Sequence, residues 1–75
     1  MVASSSITFV ERSGTDAESV LRQLSRRLHD TSLSSTLLRS RDEPGLYLLV
    51  IDGDAALDAS DEAGARVWRF ESADA

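Results

Sequence analysis

Residues 5–12, Ser-Ser-Ile-Thr-Phe-Val-Glu-Arg, place Ile7 and Phe9 on one side and Thr8 and Val10 on the other, in β-branched and aromatic types that predict a strand. Ser13-Gly14 ends it. Thr15-Asp16-Ala17-Glu18 then reads as a capping box, in which the Thr15 hydroxyl and the Glu18 carboxylate each take an otherwise unpaired backbone N–H. From there the period changes. Ala17, Val20, Leu21, Leu24 and Leu28 fall in one stripe about 100° wide, with Glu18, Arg22, Arg26 and His29 opposite, which predicts an amphipathic helix. Asp30-Thr31-Ser32 favour turns, so the helix is expected to end near His29 or Asp30.

Residues 33–41 lose helical periodicity, and their mix of Leu, Ser and Thr suits a half-buried strand. Asp42-Glu43-Pro44-Gly45 is a turn, since Pro presets φ near −65° and Gly accepts the positive φ that follows. Leu46 to Ile51 are consecutively apolar, as in a central strand buried on both faces. Residues 53–64 read as an acidic loop, with Asp54 positioned to cap a short Ala-Ala-Leu turn. Residues 65–71 alternate again, with Trp68 and Phe70 on one side, and predict the last strand.

A strand, helix and strand joined in this way normally form a right-handed crossover between parallel strands, to which the Pro-Gly hairpin adds an antiparallel neighbour. The expected fold class is α+β, of ferredoxin-like type β-α-β-β-(short α or loop)-β. Its antiparallel sheet carries one main helix on one face. A single domain spans residues 1–75, with ends 1–4 and 72–75 expected to fray.

One helix leaves the other face bare. Tyr47, Leu49 and Ile51 point away from Leu46, Leu48 and Val50, while Thr8, Val10, Leu38 and Val67 can join either set. Tyr47, Leu49 and Ile51 are expected to form the exposed apolar patch and hence a dimer face. Size strengthens the expectation, because a chain of 75 residues buries only about 60 to 65% of its unfolded surface on folding. Small domains compensate with disulfides, metals or partners. With no Cys and one His, disulfides and the common zinc sites are out, leaving a homodimer or larger homo-oligomer.

Charge divides the chain. Residues 1–41 hold six Arg against four acids, a net of +2, and residues 42–75 hold two Arg against nine acids, a net of −7. Arg22, Arg26, Arg27, Arg39 and Arg41 could make an anionic-ligand patch, but a sequence pI near 4.6 argues against nucleic acid as partner. Arg39 and Arg41, with Tyr47 and Trp68, are candidate partner or ligand contacts, because Arg and aromatic residues anchor interfaces. Core packing is the competing role for Trp68. No apolar run approaches the roughly 18 to 20 residues of a membrane span, and the first ten residues lack a signal-peptide pattern. A cytoplasmic protein without membrane contact is expected.

Catalytic chemistry finds little purchase. Histidine is the side-chain type best suited to proton transfer near neutrality, yet His29 falls on the polar side of a helix end, where it complements the dipole. No Gly-x-Ser-x-Gly nucleophile elbow occurs. The run Asp52, Asp54, Asp58, Asp61 and Glu62 invites a hard cation, but Gly53, Ala56 and Ala63 occupy the second, fifth and twelfth positions of an EF-hand frame and break it. No metal or cofactor is expected.

The stretch Leu37-Leu38-Arg39-Ser40-Arg41-Asp42-Glu43-Pro44-Gly45-Leu46-Tyr47-Leu48-Leu49-Val50 resembles the second strand, turn and third strand of antibiotic-biosynthesis-monooxygenase-like proteins, and the similarity runs on to Leu57. The resemblance implies a dimeric α/β barrel built from ferredoxin-like protomers. Cofactor-free oxygenation in that family relies on Asn and Trp side chains; here there is no Asn, and the one Trp lies in the last predicted strand. Asp52 or Gly53 stands where the family has Trp, Ser60 stands near its His, and the connection to the last strand is about half as long. The expected function is therefore a small self-associating α/β protein without evident catalytic machinery, serving as a ligand- or protein-binding module with a small hydrophobic molecule as a possible ligand. The alternative is a reduced cofactor-independent monooxygenase-like enzyme acting on a hydrophobic or aromatic small molecule. A third reading is an acidic regulatory or toxin–antitoxin-type partner.

Overall fold

The computed structural model describes residues 6–73, so the expected fraying at residues 1–4 and at 74–75 lies outside the described residues. The elements run β1 (Ser6–Ser13), α1 (Ala17–Asp30), β2 (Ser34–Arg39), β3 (Leu46–Asp52), α2 (Ala59–Glu62) and β4 (Arg66–Glu71). The strands make one antiparallel sheet in the order β2-β3-β1-β4. β1 and β2 therefore run parallel to each other with β3 between them. The fold is α+β with one main helix, consistent with a ferredoxin-like arrangement.

α1 buries Ala17, Leu21, Leu24 and Leu28, the stripe that its periodicity predicts, with Val20 at the half-buried margin. Its start differs from the expected Thr15–Glu18 capping box. Asp16 occupies the N-cap and makes no side-chain cap bond, because its carboxylate turns to the Arg12 guanidinium at 3.3 Å. Glu18 instead takes two hydrogen bonds from Arg22. The C-terminus closes as a Schellman motif, with the Ser32 N–H donating to the His29 carbonyl and the Leu33 N–H to Leu28. Ser32 adopts φ 67° there, a position that usually takes glycine.

The turn into β3 is as expected. Leu46 N–H donates to the Glu43 carbonyl, and Gly45 carries φ 83° behind Pro44, the geometry of a type II turn. The following connection differs, since Asp54 caps no helical turn. Asp58 does, in a reciprocal capping box in which it accepts from the Asp61 N–H while the Asp61 side chain accepts from the Asp58 N–H, opening α2.

The core lies between α1 and one face of the sheet. Leu21, Leu24 and Leu28 meet Val10, Leu49 and Ile51, with Ala55 from the connection and Leu37, Tyr47 and Val67 at the margin. Leu49 and Ile51 are wholly buried. This reverses the expected faces: Tyr47, Leu49 and Ile51 pack beneath the helix, and their odd-for-even neighbours face away. The physical reason is register, since Thr8 pairs with Ile51 and Val10 with Leu49, placing both pairs on the helix side.

The connection after β3 packs Ala55 and Leu57 against the core. Buried Thr8 fastens this connection by donating to the Gly53 carbonyl at 2.9 Å and accepting from the Ala55 N–H at 3.4 Å. Arg12 ties its far end, donating to the Ala63 carbonyl at 2.7 Å while holding Asp16 at the start of α1. Arg27 of α1 pairs with Asp61 of α2.

Candidate functional site

The uncovered face follows directly from the strand pairings. Reading from β2 to β4, its rows are Ser34, Asp52, Ile7 and Phe70; then Thr36, Val50, Phe9 and Trp68; then Leu38, Leu48, Glu11 and Arg66. The apolar positions form a diagonal band from Leu38 and Leu48 at one corner, through Val50, Phe9 and Trp68, to Ile7 and Phe70 at the opposite corner. Phe70 is 57% exposed, Leu38 47% and Ile7 38%, high values for large apolar side chains. Phe9 and Phe70 meet edge to face at 5.4 Å between ring centroids, so the aromatic end is already ordered within the protomer.

Two polar corners flank the band. At one, the Arg66 guanidinium lies 5.0 Å from the Trp68 ring centroid and 4.0 Å from Glu11. At the other, Asp52 stands among Ser34 and Thr36 and has no ion-pair partner among the described residues.

A second feature sits at the hairpin end of the helix side. Glu18, Arg22, Leu37, Arg39, Arg41 and Tyr47 line an open cleft of about 680 Å³. Tyr47 donates its hydroxyl to Glu18 at 3.3 Å, and Arg22 approaches the same carboxylate at 2.8 Å. The Arg22 hydrogen bond holds the Glu18 carboxyl below its ordinary value, assisted by the Arg22 charge, the Tyr47 hydroxyl and the Arg39 charge. Arg39 and Arg41 make no salt bridge among the described residues, leaving two cations in the cleft beside Leu37 and Tyr47.

The structure thus brings Arg39, Arg41 and Tyr47 together, as candidate contacts, but places Trp68 on the other side of the sheet and at its far edge. Leu49 and Ile51 belong to the core. His29 is exposed on α1, and the acidic residues after β3 disperse: Asp54 faces Arg69 at 3.8 Å, Asp61 pairs with Arg27, and Asp58 caps α2. Among the described residues no group of three or more ligating side chains could hold a metal ion, and no helix is long and apolar enough to cross a membrane.

Ile7, Phe9, Leu48, Val50 and Phe70 are the surface residues that sequence reasoning did not single out. Their signal was the shared phase of Ile7 and Phe9 with Trp68 and Phe70, which gives the aromatic residues of the first and last strands one common face. Searches of family models, curated proteins and solved structures find no match to this chain.

Proposed function

We propose that this chain is a small self-associating α/β binding module that packs its open sheet face against the same face of a second copy, in a dimeric α/β-barrel arrangement. The observation that carries this reading is the apolar diagonal, in which large side chains stay exposed on an ordered sheet. A face of four strands and six residues measures roughly 19 by 20 Å in projection. Side-chain relief raises the area lost from both copies to about 1,000 Å², near the lower bound of specific interfaces. The resemblance of residues 37–57 to monooxygenase-like proteins supports the same arrangement. In it, the cleft bearing Arg39, Arg41 and Tyr47 stays open to solvent and is available for a ligand or second protein.

The alternative, a reduced cofactor-independent oxygenase, draws on the resemblance alone. A substrate chamber needs an enclosed apolar volume with converging polar groups, whereas the cleft beside Tyr47 is open and charged. Sedimentation equilibrium tests the proposal. A dimer mass that falls to the monomer mass in a folded Leu48→Arg variant supports it; a wild-type monomer at about 100 µM, where a Kd below that range would already show, overturns it.

A further inference from the structure

The face carries enough pattern to specify how two copies meet. In face-to-face packing the two-fold axis lies in the interface plane, so each residue of one copy lands, in projection, at its mirror position across that axis on the other. Neighbouring strands are about 4.8 Å apart and alternate residues about 6.8 Å apart, which makes the three rows and four columns a nearly square grid. Symmetry then leaves four simple axes through its middle.

An axis along the strands sets Asp52 on Ile7 and Arg66 on Leu38. One across the strands sets Asp52 on Leu48 and Arg66 on Phe70. Both bury a charge against an apolar side chain, which is costly. The diagonal joining Ser34 to Arg66 puts the two Arg66 residues on each other and brings the two Asp52 carboxylates near one another. The remaining diagonal runs along the apolar band from Leu38 to Phe70. It stacks the band on itself, lays Ser34 on Arg66, and sets Asp52 beside the partner's Trp68 within reach of the partner's Arg66.

We infer that a second copy of this chain docks with its two-fold axis along the Leu38–Phe70 diagonal, pairing Asp52 of each copy with Arg66 of the other. The inference rests on the self-association proposed above. Its charge complementarity is visible in the protomer, since Asp52 has no ion-pair partner among the described residues and Arg66 is 74% exposed in its side chain, with a 4.0 Å approach to Glu11. Glu11 is carried by the same operation toward the partner's Ser34 and Thr36 hydroxyls. Because the axis lies at about 45° to the strands, the two sheets cross near a right angle, one of the two preferred packings of stacked sheets.

Charge exchange tests the pairing. Asp52→Arg and Arg66→Asp, each alone, oppose like charges twice per dimer, and each is expected to weaken dimerisation about tenfold or more. Mixed together, the two variants match charges at both contacts, so a heterodimer should form near the wild-type affinity, as should the Asp52→Arg/Arg66→Asp double variant with itself. Sedimentation velocity with one variant labelled reads both, and circular dichroism establishes that each variant is folded. If a reversal does not fold, Asp52→Asn and Arg66→Gln replace it, and each should weaken the dimer and flatten its salt dependence. Arg26→Gln, exposed on α1 and away from the docked face, is the charge control and should leave dimerisation within about threefold of wild type. A wild-type dimer whose reversed variants fail to rescue one another, or whose neutral variants dimerise unchanged, overturns the pairing while self-association stands; a monomeric wild type overturns both.

Discussion

Leu48 and Leu49 are adjacent in the chain and stand on opposite sides of the sheet: Leu49 is wholly buried beneath α1, while Leu48 lies half-buried beside Glu11 and Leu38 on the face that no helix covers. The same residue type therefore answers to two different constraints. Leu49→Ala should cost about 2 to 5 kcal/mol, the range for emptying a leucine site in a core. Leu49→Arg should abolish folding, whereas Leu48→Arg should leave the thermal midpoint of the dilute protein nearly unchanged and remove its association. Thermal melts paired with sedimentation read the contrast.

Thr8 is buried with both uses of its hydroxyl satisfied, by the Gly53 carbonyl and the Ala55 N–H. Thr8→Val keeps the shape and strands those two backbone groups. The expected loss is about 1 to 3 kcal/mol in urea unfolding. Hydrogen exchange should rise first at Ala55, whose N–H then has no acceptor.

Ser32 holds a left-handed conformation at the end of α1. Ser32→Gly should raise stability by about 1 kcal/mol, because glycine adopts that conformation without a Cβ penalty. A stabilisation by Ser32→Ala of the same size would contradict this account.

Acid should weaken the fold from a defined direction. The Glu18 carboxyl, held down by Arg22, and the Asp58 carboxyl, held down by the Ser60 hydroxyl and the Asp61 N–H, both have folded-state pKa values below their ordinary ones. The unfolded chain then binds more protons in this range, so stability rises with pH. Their contribution is present above the ordinary carboxylate values, near pH 4, and is lost as pH falls through the lowered ones. Plots of thermal midpoint against pH should drop less steeply below about pH 4 in Glu18→Gln and Asp58→Asn than in wild type.

Arg12 joins β1 to the start of α1 and to the carbonyl of Ala63, and its Nε is buried without a hydrogen-bond partner among the described residues. Gly64 leaves room for it, since a Cβ there would stand 3.2 Å from the Arg12 terminal nitrogen. Arg12→Met should preserve the packing of the stem and release the Ala63 carbonyl. Faster exchange of the α2 amides, with protection in the buried middle of α1 unchanged, is the expected result.

Helix α1, the Pro44-Gly45 turn and four strands were legible because each has a local cause: a 3.6 period, a ring-fixed φ, or β-branched alternation. The choice of face was not. Leu46 to Ile51 are apolar at every position, so the strand itself carries no alternation, and only its pairing with Thr8 and Val10 decides which side meets the helix. The patch was therefore expected from the right strand and the wrong side. The Arg39, Arg41 and Tyr47 cluster could be read from the hairpin, which sets Arg39 across from Tyr47. The expected cap gave way to competing ion pairs only four residues apart, as Asp16 is drawn to Arg12 and Glu18 to Arg22, with Tyr47 adding a distant bond to Glu18. Asp58 and Asp61 had capping spacing in plain view, but Asp54 offered the same chemistry four residues earlier.

The strand order sets a timetable for folding. β1 occupies the middle of the sheet yet pairs only with β3 and β4, so during synthesis it waits for both neighbours. Such distant pairings form slowly, because loop closure precedes any gain from contact. Phe9 meets Trp68 across the ladder only when β4 arrives. The surface that would receive another copy is thus finished by the last strand to dock, so under the proposed self-association recognition between chains would check that each has completed its own fold.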